Sequence, residues 1–409
     1  MKIGVIGTGF VGLTTAVGFA HKNFKVACYE KDKKKRNLLK ESEIPFYEPH
    51  LKEHLLKYNK KRIDFVENLN NFIDLNLDTI FICVGTPSNT DGSCNTNNLE
   101  NLIKSLSKLD FKKKTSLIIK STIPPGTTDK LSNFLKNNKF LYLVFCPEFL
   151  REGSAWKDFI YPDRVVAGIS SKSHKEKINR IFRSFTKAIH YTNFKEAELI
   201  KYMSNSLLAT LISYSNEISM LANKLKEIDI KKIFDILLLD KRWSGKPSGM
   251  SKYAFPGVGF GGYCLPKDLS AIINVFKRNK VESKLLNSVE QVNYKIKKFN
   301  LEIIKSKIVN KNSKIGIIGL SFKQGSDDVR ETPSYFYIKK MLQYGYKNIY
   351  VYDEIAKESF RNTYPKLKIN YCKSIKEITL KTSTIILLSK VKKIKNFNGK
   401  KIIDLKYQI

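Results

Sequence analysis

Cysteine is scarce in this chain of 409 residues. No two cysteines stand in a C-x-x-C arrangement, so neither a disulfide framework nor a metal site built on cysteine is expected. A few unpaired thiols are typical of a protein that is kept in a reducing compartment. The six cysteines are Cys28, Cys83, Cys94, Cys146, Cys264 and Cys372.

Long hydrophobic runs are missing as well. Nowhere do about 18 apolar residues follow one another, which is the length that a membrane-spanning helix needs. The N-terminus begins directly with the strand-like stretch Lys2-Ile3-Gly4-Val5-Ile6 and lacks the apolar stretch and small-residue cleavage site of a signal peptide. We therefore expect a cytoplasmic protein with no membrane partner.

Acidic residues are outnumbered, because 38 Asp and Glu stand against 73 Lys and Arg and leave a net charge of +35. An excess of this size suits a protein that binds nucleic acid or a membrane surface. The lysines, however, are spread along the whole chain and are not gathered into one patch with aromatic residues between them. We therefore expect a solvated basic surface and no nucleic-acid partner, with a positive field that attracts anionic substrates such as nucleotides.

What the chain does contain is an alternation of short apolar runs with longer helical patterns, which predicts a parallel α/β sheet. Thr86 and Thr122 lie in loops that follow two of the early apolar runs, at the end of the strands where open α/β sheets bind ligands. The predicted strands are 2–6, 25–30, 78–84, 116–120 and 141–145 in the first part, and 314–319, 348–352 and 384–388 in the last part.

Between these two parts, apolar residues recur at helical spacing over 195–226, a segment without Gly or Pro. This pattern predicts one helix of about 30 residues. Such a helix either bridges two domains and forms a seam between subunits, or is a core helix of one domain. The expected fold class is α/β, with two Rossmann-like doubly wound domains joined by a long central helix.

The stretch Gly7-Thr8-Gly9-Phe10-Val11-Gly12 has the form G-x-G-x-x-G and stands between a predicted strand and a helical stretch. The first glycine permits a tight turn, the second lets the backbone approach a pyrophosphate, and the third lets helix and strand pack closely. Glu30 ends the next strand, 18 residues after Gly12, where a carboxylate binds ribose hydroxyls and repels a 2′-phosphate. The combination predicts an NAD site, and the nearby Lys35 weakens the preference over NADP only slightly.

Glycine is concentrated in the stretch Phe255-Pro-Gly-Val-Gly-Phe-Gly-Gly-Tyr-Cys-Leu-Pro-Lys-Asp268, which comes after a loop that begins near residue 241. Its glycines leave the backbone open to a phosphate or a sugar. Pro266 suits the first turn of a helix, so Cys264 is expected at the positive end of that helix, where the thiolate form is favoured. Asp268 lies one turn later on the same face, where it can position a water or accept a proton.

A dinucleotide site together with an activated cysteine predicts a dehydrogenase that removes two hydrides. The thiolate adds to an aldehyde, the thiohemiacetal loses a second hydride to give a thioester, and water then releases an acid. Two alternatives stay open. A two-electron hydroxyacid dehydrogenase of similar architecture leaves Cys264 without a role, and a basic NAD-sensing or nucleic-acid-binding protein without catalysis requires clustered basic residues.

Several motifs, in order and along nearly the full length, resemble the UDP-glucose/GDP-mannose dehydrogenase family. The resemblance implies a four-electron oxidation of a nucleotide sugar that uses two NAD per turnover. The matching motifs are Gly7–Gly12, Lys120-Ser-Thr-Ile-Pro124, Pro147–Ala155, Glu198–Asn205, Gly261–Asp268, and Phe322-Lys323 with Asp328-Val-Arg330.

The resemblance also implies roles for the reacting groups. Cys264 corresponds to the family's nucleophile, and Lys201 and Asn205, four residues apart on the long helix, steady the negative charge that develops on a substrate oxygen. Asp268 and Thr122 resemble the pair that holds a water. The resemblance leaves open whether Lys201 or a water on Asp268 removes the first proton.

Further residues take their roles from the same resemblance. Glu148 matches a residue implicated in thioester hydrolysis, Glu152 contacts ligand near the nicotinamide, Lys323 contacts substrate, and Arg330 contacts a cofactor phosphate. The implied cofactor-binding residues are Gly7, Gly9, Phe10, Val11, Gly12, Glu30, Lys35, Thr86, Thr122, Glu152 and Arg330. The implied substrate-binding residues are Glu148, Phe149, Leu150, Glu152, Lys201, Asn205, Phe255, Gly259, Phe260, Gly261, Phe322 and Lys323, and no metal is implied.

The segment from Arg151 to Arg164 resembles the branch of the family that oxidises UDP-glucose to UDP-glucuronate, with GDP-mannose or a UDP-N-acetylhexosamine as the alternative substrate. A long segment before the glycines leaves open whether Arg242 reaches a neighbouring subunit's site. Asp404-Leu-Lys406 stands where the family often shows Asp-Gly-Arg, and lysine lacks the planar fork of arginine. Three domains are implied: an NAD-binding Rossmann domain over 1–194, a central helical dimerisation domain with the cysteine over 195–305, and a UDP-sugar-binding Rossmann-like domain over 306–409. At least a homodimer is expected.

Overall fold

A computed structural model of the chain describes residues 1–224, 227–240, 256–389, 397 and 399–407. Its residues separate into two compact units, Met1–Ser204 and Asn205–Ile409. Each unit contains one β-sheet with helices around it, which confirms the predicted α/β class with two Rossmann-like sheets.

The first unit contains an eight-stranded sheet in the order β3-β2-β1-β4-β5-β6-β7-β8. The strand order reverses beside β1, where open α/β sheets place their ligand crevice. Its strands are β1 (Lys2–Ile6), β2 (Lys25–Tyr29), β3 (Ile63–Val66), β4 (Thr79–Ile82), β5 (Thr115–Ile119), β6 (Leu141–Phe145), β7 (Val165–Ile169) and β8 (Ile189–Thr192).

The central strands of this sheet are buried on both faces, because helices cover each side. Along β1, Ile3 and Val5 pack into the hydrophobic cluster on one face, and Ile6 packs into the cluster on the other. The helices are α1 (Phe10–His21), α2 (Lys33–Lys40), α3 (Leu51–Tyr58), α4 (Asn70–Asp74), α5 (Asn97–Ser107), α6 (Thr127–Ser132), α7 (Ala155–Ile160) and α8 (Lys175–Phe182).

Two expectations for this sheet were incomplete. The prediction missed β3 and β8, which are edge strands that carry polar residues, and it missed β7. The expectation of a parallel sheet holds for the five predicted strands and fails at one pair, since β6 and the unpredicted β7 are antiparallel. The chain between them folds α7 back onto α1, where the ring of Phe159 occupies the space beside Gly18, and it re-enters the sheet in the reverse direction.

The long helix predicted between the two parts is α9 (Phe194–Lys224), which has 31 residues and carries residues of both units. The second unit continues with α10 (Ile230–Leu237), α11 (Cys264–Arg278) and α12 (Lys284–Lys307). The predicted helix start near Pro266 is therefore confirmed, and it falls on the cysteine itself.

The sheet of the second unit has five parallel strands in the order β11-β10-β9-β12-β13. The sequence predicted three of them and missed β11, which is very short, and β13, which is at an edge. The strands are β9 (Ile315–Ile318), β10 (Ile349–Tyr352), β11 (Asn370–Tyr371), β12 (Thr384–Leu387) and β13 (Lys401–Asp404). The helices around it are α13 (Pro333–Gln343), α14 (Lys357–Thr363) and α15 (Ile375–Lys381).

Among the helices of the described residues, none is both long enough and apolar enough to cross a membrane.

Candidate active site

The glycine turn of the first unit joins β1 to α1. Gly7 has φ +83°, and a Cβ on Gly12 would lie 1.8 Å from the carbonyl oxygen of Gly7, so the turn requires glycine at both positions. A Cβ on Gly9 would meet no atom of the described chain within 4 Å, and no side chain of the described chain caps the start of α1. Open space beside Gly9 and uncapped N–H groups at a helix start fit the pyrophosphate of a dinucleotide.

Glu30 comes directly after β2 and is held beside this turn. Its Oε2 accepts hydrogen bonds from the Thr8 N–H and hydroxyl, each at 3.0 Å, and its Oε1 accepts from the Asp32 N–H at 3.2 Å. The Lys35 ammonium lies 2.8 Å from Oε2. Burial opposes ionisation, but the hydrogen bond and charge of Lys35 and the backbone N–H groups outweigh it and lower the pKa of Glu30. An ionised carboxylate at this strand end fits NAD, and Lys35 is the ion-pair partner of that carboxylate.

Thr86 and Thr122 lie in loops after the adjacent strands β4 and β5. The Thr86 hydroxyl donates to the Thr122 carbonyl oxygen at 2.8 Å, so the structure joins these two predicted residues directly.

A buried carboxylate on α9 supports the end of the Thr122 loop. Glu198 accepts hydrogen bonds from the Gly126 N–H at 2.6 Å, from the Thr128 N–H at 2.7 Å and from the Thr128 hydroxyl at 2.6 Å. Burial raises the pKa of Glu198 to about 7, although these three donors oppose the rise. The sequence placed Glu198 only at the edge of a motif and assigned it no role.

Glu148 and Lys201 form a buried ion pair in the first unit. The Lys201 Nζ lies 3.0 Å from Glu148 Oε1, and Glu148 Oε2 accepts from the Leu150 N–H at 2.5 Å. The same ammonium lies 5.4 Å from the centre of the Phe149 ring, which the guanidinium of Arg164 also contacts. Four predicted substrate-side residues, Glu148, Phe149, Leu150 and Lys201, are thus brought together around one buried charge pair.

The segment that carries Glu152 is fixed by a carboxylate from far away in the chain. Glu48 is buried, and it accepts hydrogen bonds from the N–H groups of Gly153 at 2.7 Å and Ala155 at 2.8 Å. Sequence reasoning missed Glu48, because it lies 105 residues from Gly153 and stands in no motif.

In the second unit, the predicted nucleophile lies at the start of a helix. Cys264 is exposed and is the first residue of α11, a helix of 15 residues whose start has no side-chain cap among the described residues. Asp268 is almost fully buried one turn further on, where its Oδ2 accepts from the Asn205 amide at 2.6 Å. Its other oxygen accepts from the Lys267 ammonium. The structure therefore joins Asn205 to Asp268 and adds Lys267, which the sequence analysis did not single out.

Two loops of the second unit adjoin the glycines before Cys264. The Gly262 N–H donates to the Arg330 carbonyl oxygen at 3.0 Å, and a Cβ on Gly262 would lie 2.9 Å from the ring of Phe322. The Arg330 guanidinium lies 4.2 Å from the centre of the Tyr263 ring. Lys323 is next to Phe322 in the chain, with its ammonium 5.8 Å from the Phe322 ring centre.

Lys406 also reaches the glycine-rich segment, since a Cβ on Gly257 would lie 2.9 Å from its Nζ. Lys406, which stands where the family often has arginine, thus adjoins the segment that contains the predicted substrate contacts Gly259, Phe260 and Gly261. Phe255, a predicted substrate contact, and Arg242, which was left open as a contact to a neighbouring subunit's site, lie outside the described residues.

Comparison with protein families gives three matches in order along the chain. The NAD binding domain of the UDP-glucose/GDP-mannose dehydrogenase family matches residues 1–186, its central domain matches 195–295, and its UDP binding domain matches 316–408. The chain belongs to the UDP-glucose/GDP-mannose dehydrogenase family. Membership makes it an NAD-dependent oxidoreductase of nucleotide sugars, as the sequence predicted.

Individual members of the dehydrogenase family resemble the chain over its full length. It is 32% identical over 412 residues to the UDP-glucose 6-dehydrogenase of Rickettsia bellii, which covers 99% of this chain and 93% of that protein. A UDP-glucose dehydrogenase structure from Pyrobaculum islandicum superposes with a TM-score of 0.91 at 29% identity, covering 99% of this chain and 94% of that one. The structure of a GDP-mannose dehydrogenase from Pseudomonas aeruginosa has a TM-score of 0.57 at 25% identity, covering 99% and 96%.

Proposed function

We propose that the chain oxidises UDP-glucose to UDP-glucuronate in a four-electron reaction that uses two NAD and forms a thioester on Cys264. The observation that carries the proposal is the exposed thiol at the start of α11 with a buried, doubly hydrogen-bonded carboxylate one turn later. A helix N-terminus stabilises a thiolate, and a thiolate nucleophile has no role in a two-electron alcohol oxidation.

The first oxidation converts the C6 hydroxyl of the sugar into an aldehyde, with loss of one proton and one hydride. Bound NAD supplies the hydride acceptor for both oxidations. Lys201 and Asn205 present an ammonium and an amide one turn apart on α9, and such donors stabilise the negative charge that develops on O6.

The thiolate of Cys264 then forms a bond to the aldehyde carbon, and the carbonyl oxygen takes up a proton to give a thiohemiacetal. Loss of a second hydride and of that proton leaves the thioester. A water attacks the thioester carbon and the carbon–sulfur bond breaks. UDP-glucuronate is released, and Cys264 returns to the thiolate form. One UDP-glucose, two NAD and one water therefore give one UDP-glucuronate, two NADH and three protons.

Two carboxylates are proposed to serve the hydrolytic step. Asp268 is held on both oxygens by Asn205 and Lys267, so its orientation is fixed, as needed to position a water. Glu148 is held by Lys201 and by the Leu150 N–H, and we assign it a part in hydrolysis. Thr122, whose carbonyl oxygen binds Thr86, is the remaining proposed water contact.

UDP-glucose is proposed over other nucleotide sugars for two reasons. The match to a UDP binding domain over 316–408 favours a uridine nucleotide. The relative from Rickettsia bellii, which the chain matches over 93% of that protein's length, is named a UDP-glucose 6-dehydrogenase. The segment from Arg151 to Arg164, whose sequence resembles the UDP-glucose branch, is held in shape by a two-pronged ion pair between Arg151 and Asp158, with contacts of 3.0 and 2.6 Å.

The test is the yield of NADH per sugar, measured with limiting UDP-glucose and excess NAD for the wild type and for Cys264→Ala. We expect two NADH per UDP-glucose in the wild type and no turnover in the variant. Cys372→Ala is the matched control, because this cysteine is buried in the core of the second unit and is expected to leave the yield at two.

One NADH per sugar, or an active Cys264→Ala, would contradict the thioester route. No turnover of UDP-glucose together with turnover of GDP-mannose or a UDP-N-acetylhexosamine would contradict only the choice of sugar.

We also propose that the protein is at least a homodimer, assembled along α9, and that its three functional domains are 1–194, 195–305 and 306–409. Four large apolar side chains at helical spacing on α9, Leu199, Met203, Leu207 and Tyr214, are each more than a third exposed. A contiguous exposed apolar stripe is typical of a subunit interface. Light scattering of Met203→Glu with Leu207→Glu tests the proposal, since the mass is expected to fall to that of a monomer.

A further inference from the structure

Three buried asparagines contact the glycine loop, which we define as residues 256–262. Asn216 lies on α9, and Asn293 and Asn300 lie two turns apart on α12. Asparagine is a poor helix former, and a buried amide destabilises the fold unless its polar atoms are hydrogen-bonded. Its presence at these helical positions therefore calls for specific partners, and the loop backbone supplies one hydrogen bond to Asn216, one to Asn300 and two to Asn293.

Asn293 binds both polar groups of one loop residue. Its Oδ1 accepts from the Phe260 N–H at 2.8 Å, and its Nδ2 donates to the Phe260 carbonyl oxygen at 3.1 Å. The preceding Gly259 has φ +90°, and a Cβ there would lie 2.6 Å from Asn293 Oδ1. The Asn293 amide can approach the loop only because residue 259 is glycine, so the hydrogen bonds to Phe260 depend on both residues.

The remaining contacts hold the other end of the loop. Asn216 Oδ1 accepts from the Gly257 N–H at 2.7 Å, and Asn300 Nδ2 donates to the Gly257 carbonyl oxygen at 3.2 Å. The Tyr337 hydroxyl donates to the Val258 carbonyl oxygen at 3.3 Å. Side chains thus fix the loop on both sides of Gly259.

Some loop N–H groups are left over by this arrangement. Within the described part of the chain, the N–H groups of Val258, Gly259 and Gly261 donate to no acceptor, although Val258 and Gly261 are buried. A buried N–H is nearly always paired, so an unpaired row of them on a fixed loop points to a ligand that accepts hydrogen bonds.

We propose that Asn293 is a positioning residue for the nucleotide-sugar substrate, which acts by fixing the Phe260 backbone so that the neighbouring N–H groups of the glycine loop face the ligand. The inference rests on the proposed function, since it takes the ligand of this loop to be the nucleotide sugar. Among the described residues, both side-chain hydrogen bonds of Asn293 go to the loop residue Phe260, and Cys264 is held separately by α11.

The experiment compares Asn293→Ala with the wild type in KM and kcat for UDP-glucose, and in binding of UDP alone by calorimetry. We expect KM for UDP-glucose and Kd for UDP to rise roughly 30-fold, because a shift of about 1 Å in a binding group can cost 100-fold. We expect kcat to fall less than about threefold and KM for NAD to stay unchanged, which separates loss of binding from loss of chemistry. Asn287→Ala is the matched control, since the hydrogen bond that its amide makes within the described residues goes to Ser283 at the start of the same helix and not to the loop.

A second variant, Asn293→Asp, reports on the hydrogen bonds themselves. An ionised carboxylate accepts from the Phe260 N–H but repels the Phe260 carbonyl oxygen, whereas a protonated carboxyl carries one donor and one acceptor, as the amide does. We therefore expect KM of Asn293→Asp to fall towards the wild-type value as the pH is lowered from about 8 to about 5.5. Asn293→Ala is the reference for this profile, because it leaves Lys297, which lies beside Gly259, and Glu331, which acts on Lys297, in place.

The outcomes are distinguishable. A higher KM in Asn293→Ala and a low-pH recovery confined to Asn293→Asp support the positioning role. An active Asn293→Ala with a lower melting temperature but unchanged KM and Kd overturns it and leaves the proposed function standing. If Asn293→Ala does not fold, the pH profile of Asn293→Asp decides, and a profile parallel to the wild type overturns the role. A wild type that neither binds UDP nor turns over UDP-glucose overturns the proposed function instead.

Discussion

The two units start in the same way, and they diverge after their first strand. Both sheets have their first strand between their second and fourth in chain order, which gives the orders β3-β2-β1-β4-β5 and β11-β10-β9-β12-β13. The glycine after that strand has a positive φ in both units, +83° at Gly7 and +103° at Gly319. Each donates to the last residue of the second strand, Gly7 to Tyr29 at 2.9 Å and Gly319 to Tyr352 at 3.0 Å.

The acidic residue after the second strand is shared as well. In the first unit the Thr8 N–H donates to Glu30 at 3.0 Å, and in the second the Leu320 N–H donates to Asp353 at 2.8 Å. The surroundings differ, because Asp353 also accepts two N–H groups of its own loop, whereas Glu30 is paired with Lys35. Asp353 therefore stabilises its own loop, whereas Glu30 fits the ribose of a dinucleotide.

The connection to the next helix separates the units further. In the first, α1 begins at Phe10, directly after an open turn at Gly9. In the second, the chain runs from Gly319 to α13 at Pro333 through a loop that carries Phe322, Lys323 and Arg330. The two units thus share two strand ends and an acid, and they differ in the length of the loop that follows the first strand.

The largest effect that we predict is loss of the first unit's turn in Gly12→Ala. Its Cβ would lie 1.8 Å from the Gly7 carbonyl oxygen, and backbone cannot move aside as a flexible side chain does. We expect a loss of about 3–5 kcal/mol in the free energy of unfolding, measured by urea titration. Gly85→Ala is the control in the same unit, since a Cβ there meets no described atom within 4 Å. Equal stability of the two variants would contradict the assigned packing role.

A pair of substitutions distinguishes a glycine that serves binding from one that serves structure. Gly9→Ala is expected to leave the melting temperature unchanged and to weaken NAD binding about tenfold, because its Cβ enters the space left for the pyrophosphate. Gly319→Ala is expected to lower the melting temperature and to leave NAD binding unchanged, since φ is +103° and its Cβ would lie 2.5 Å from Ser389 Oγ. Calorimetry with NAD and thermal melts measure both, and the distinction fails if Gly319→Ala weakens NAD binding as much as Gly9→Ala.

The two acids give a smaller pair of effects. Glu30→Ala is expected to raise Kd for NAD about tenfold and to narrow the preference for NAD over NADP. Asp353→Ala leaves three backbone N–H groups without their acceptor, so we expect a stability loss of about 1–3 kcal/mol and no change in Kd for NAD. Titration of each variant with both cofactors is the measurement, and an unchanged NADP preference in Glu30→Ala counts against the assigned role.

The smallest predicted effect is the pH dependence that Glu198 adds to the first unit. Its pKa is about 7 in the folded protein against an ordinary value of 4.5, so the folded state binds more protons than the unfolded state between these values. Its contribution to stability therefore falls as the pH rises through this window. We expect the melting temperature of the wild type to drop a few degrees relative to Glu198→Gln between about pH 5 and about pH 8.

Glu290→Gln, which removes an exposed carboxylate, is the control for that series. A difference between Glu198→Gln and the wild type that stays constant with pH would show that Glu198 does not titrate in the window.

Much of the fold could be predicted from local patterns. The glycine turn, the long helix and the helix start at Cys264 were predicted because each depends on residues adjacent in the chain. The edge strands β3 and β8 were missed, because polar residues interrupt their apolar pattern. The reversal of β7 was missed because direction in a sheet depends on the path of the preceding connection.

The candidate site was predicted less completely than the fold. The predicted residues Glu148 and Lys201 do meet, as do Asn205 and Asp268, but the sequence did not indicate these pairings. Their roles stay predictions. Glu48 and Asn293 were missed, since each acts on backbone groups of a segment distant in sequence.

By itself, the sequence determined where the dinucleotide turn lies, which cysteine begins a helix and which family the motifs resemble. These properties depend on contiguous residues, whose spacing sets backbone conformation directly. Only the tertiary structure decided that Asn205 binds Asp268, and that Asn293 holds Phe260. Such partners are joined by short-range hydrogen bonds between segments that folding brings together, and a hydrogen bond leaves no periodic trace along the chain.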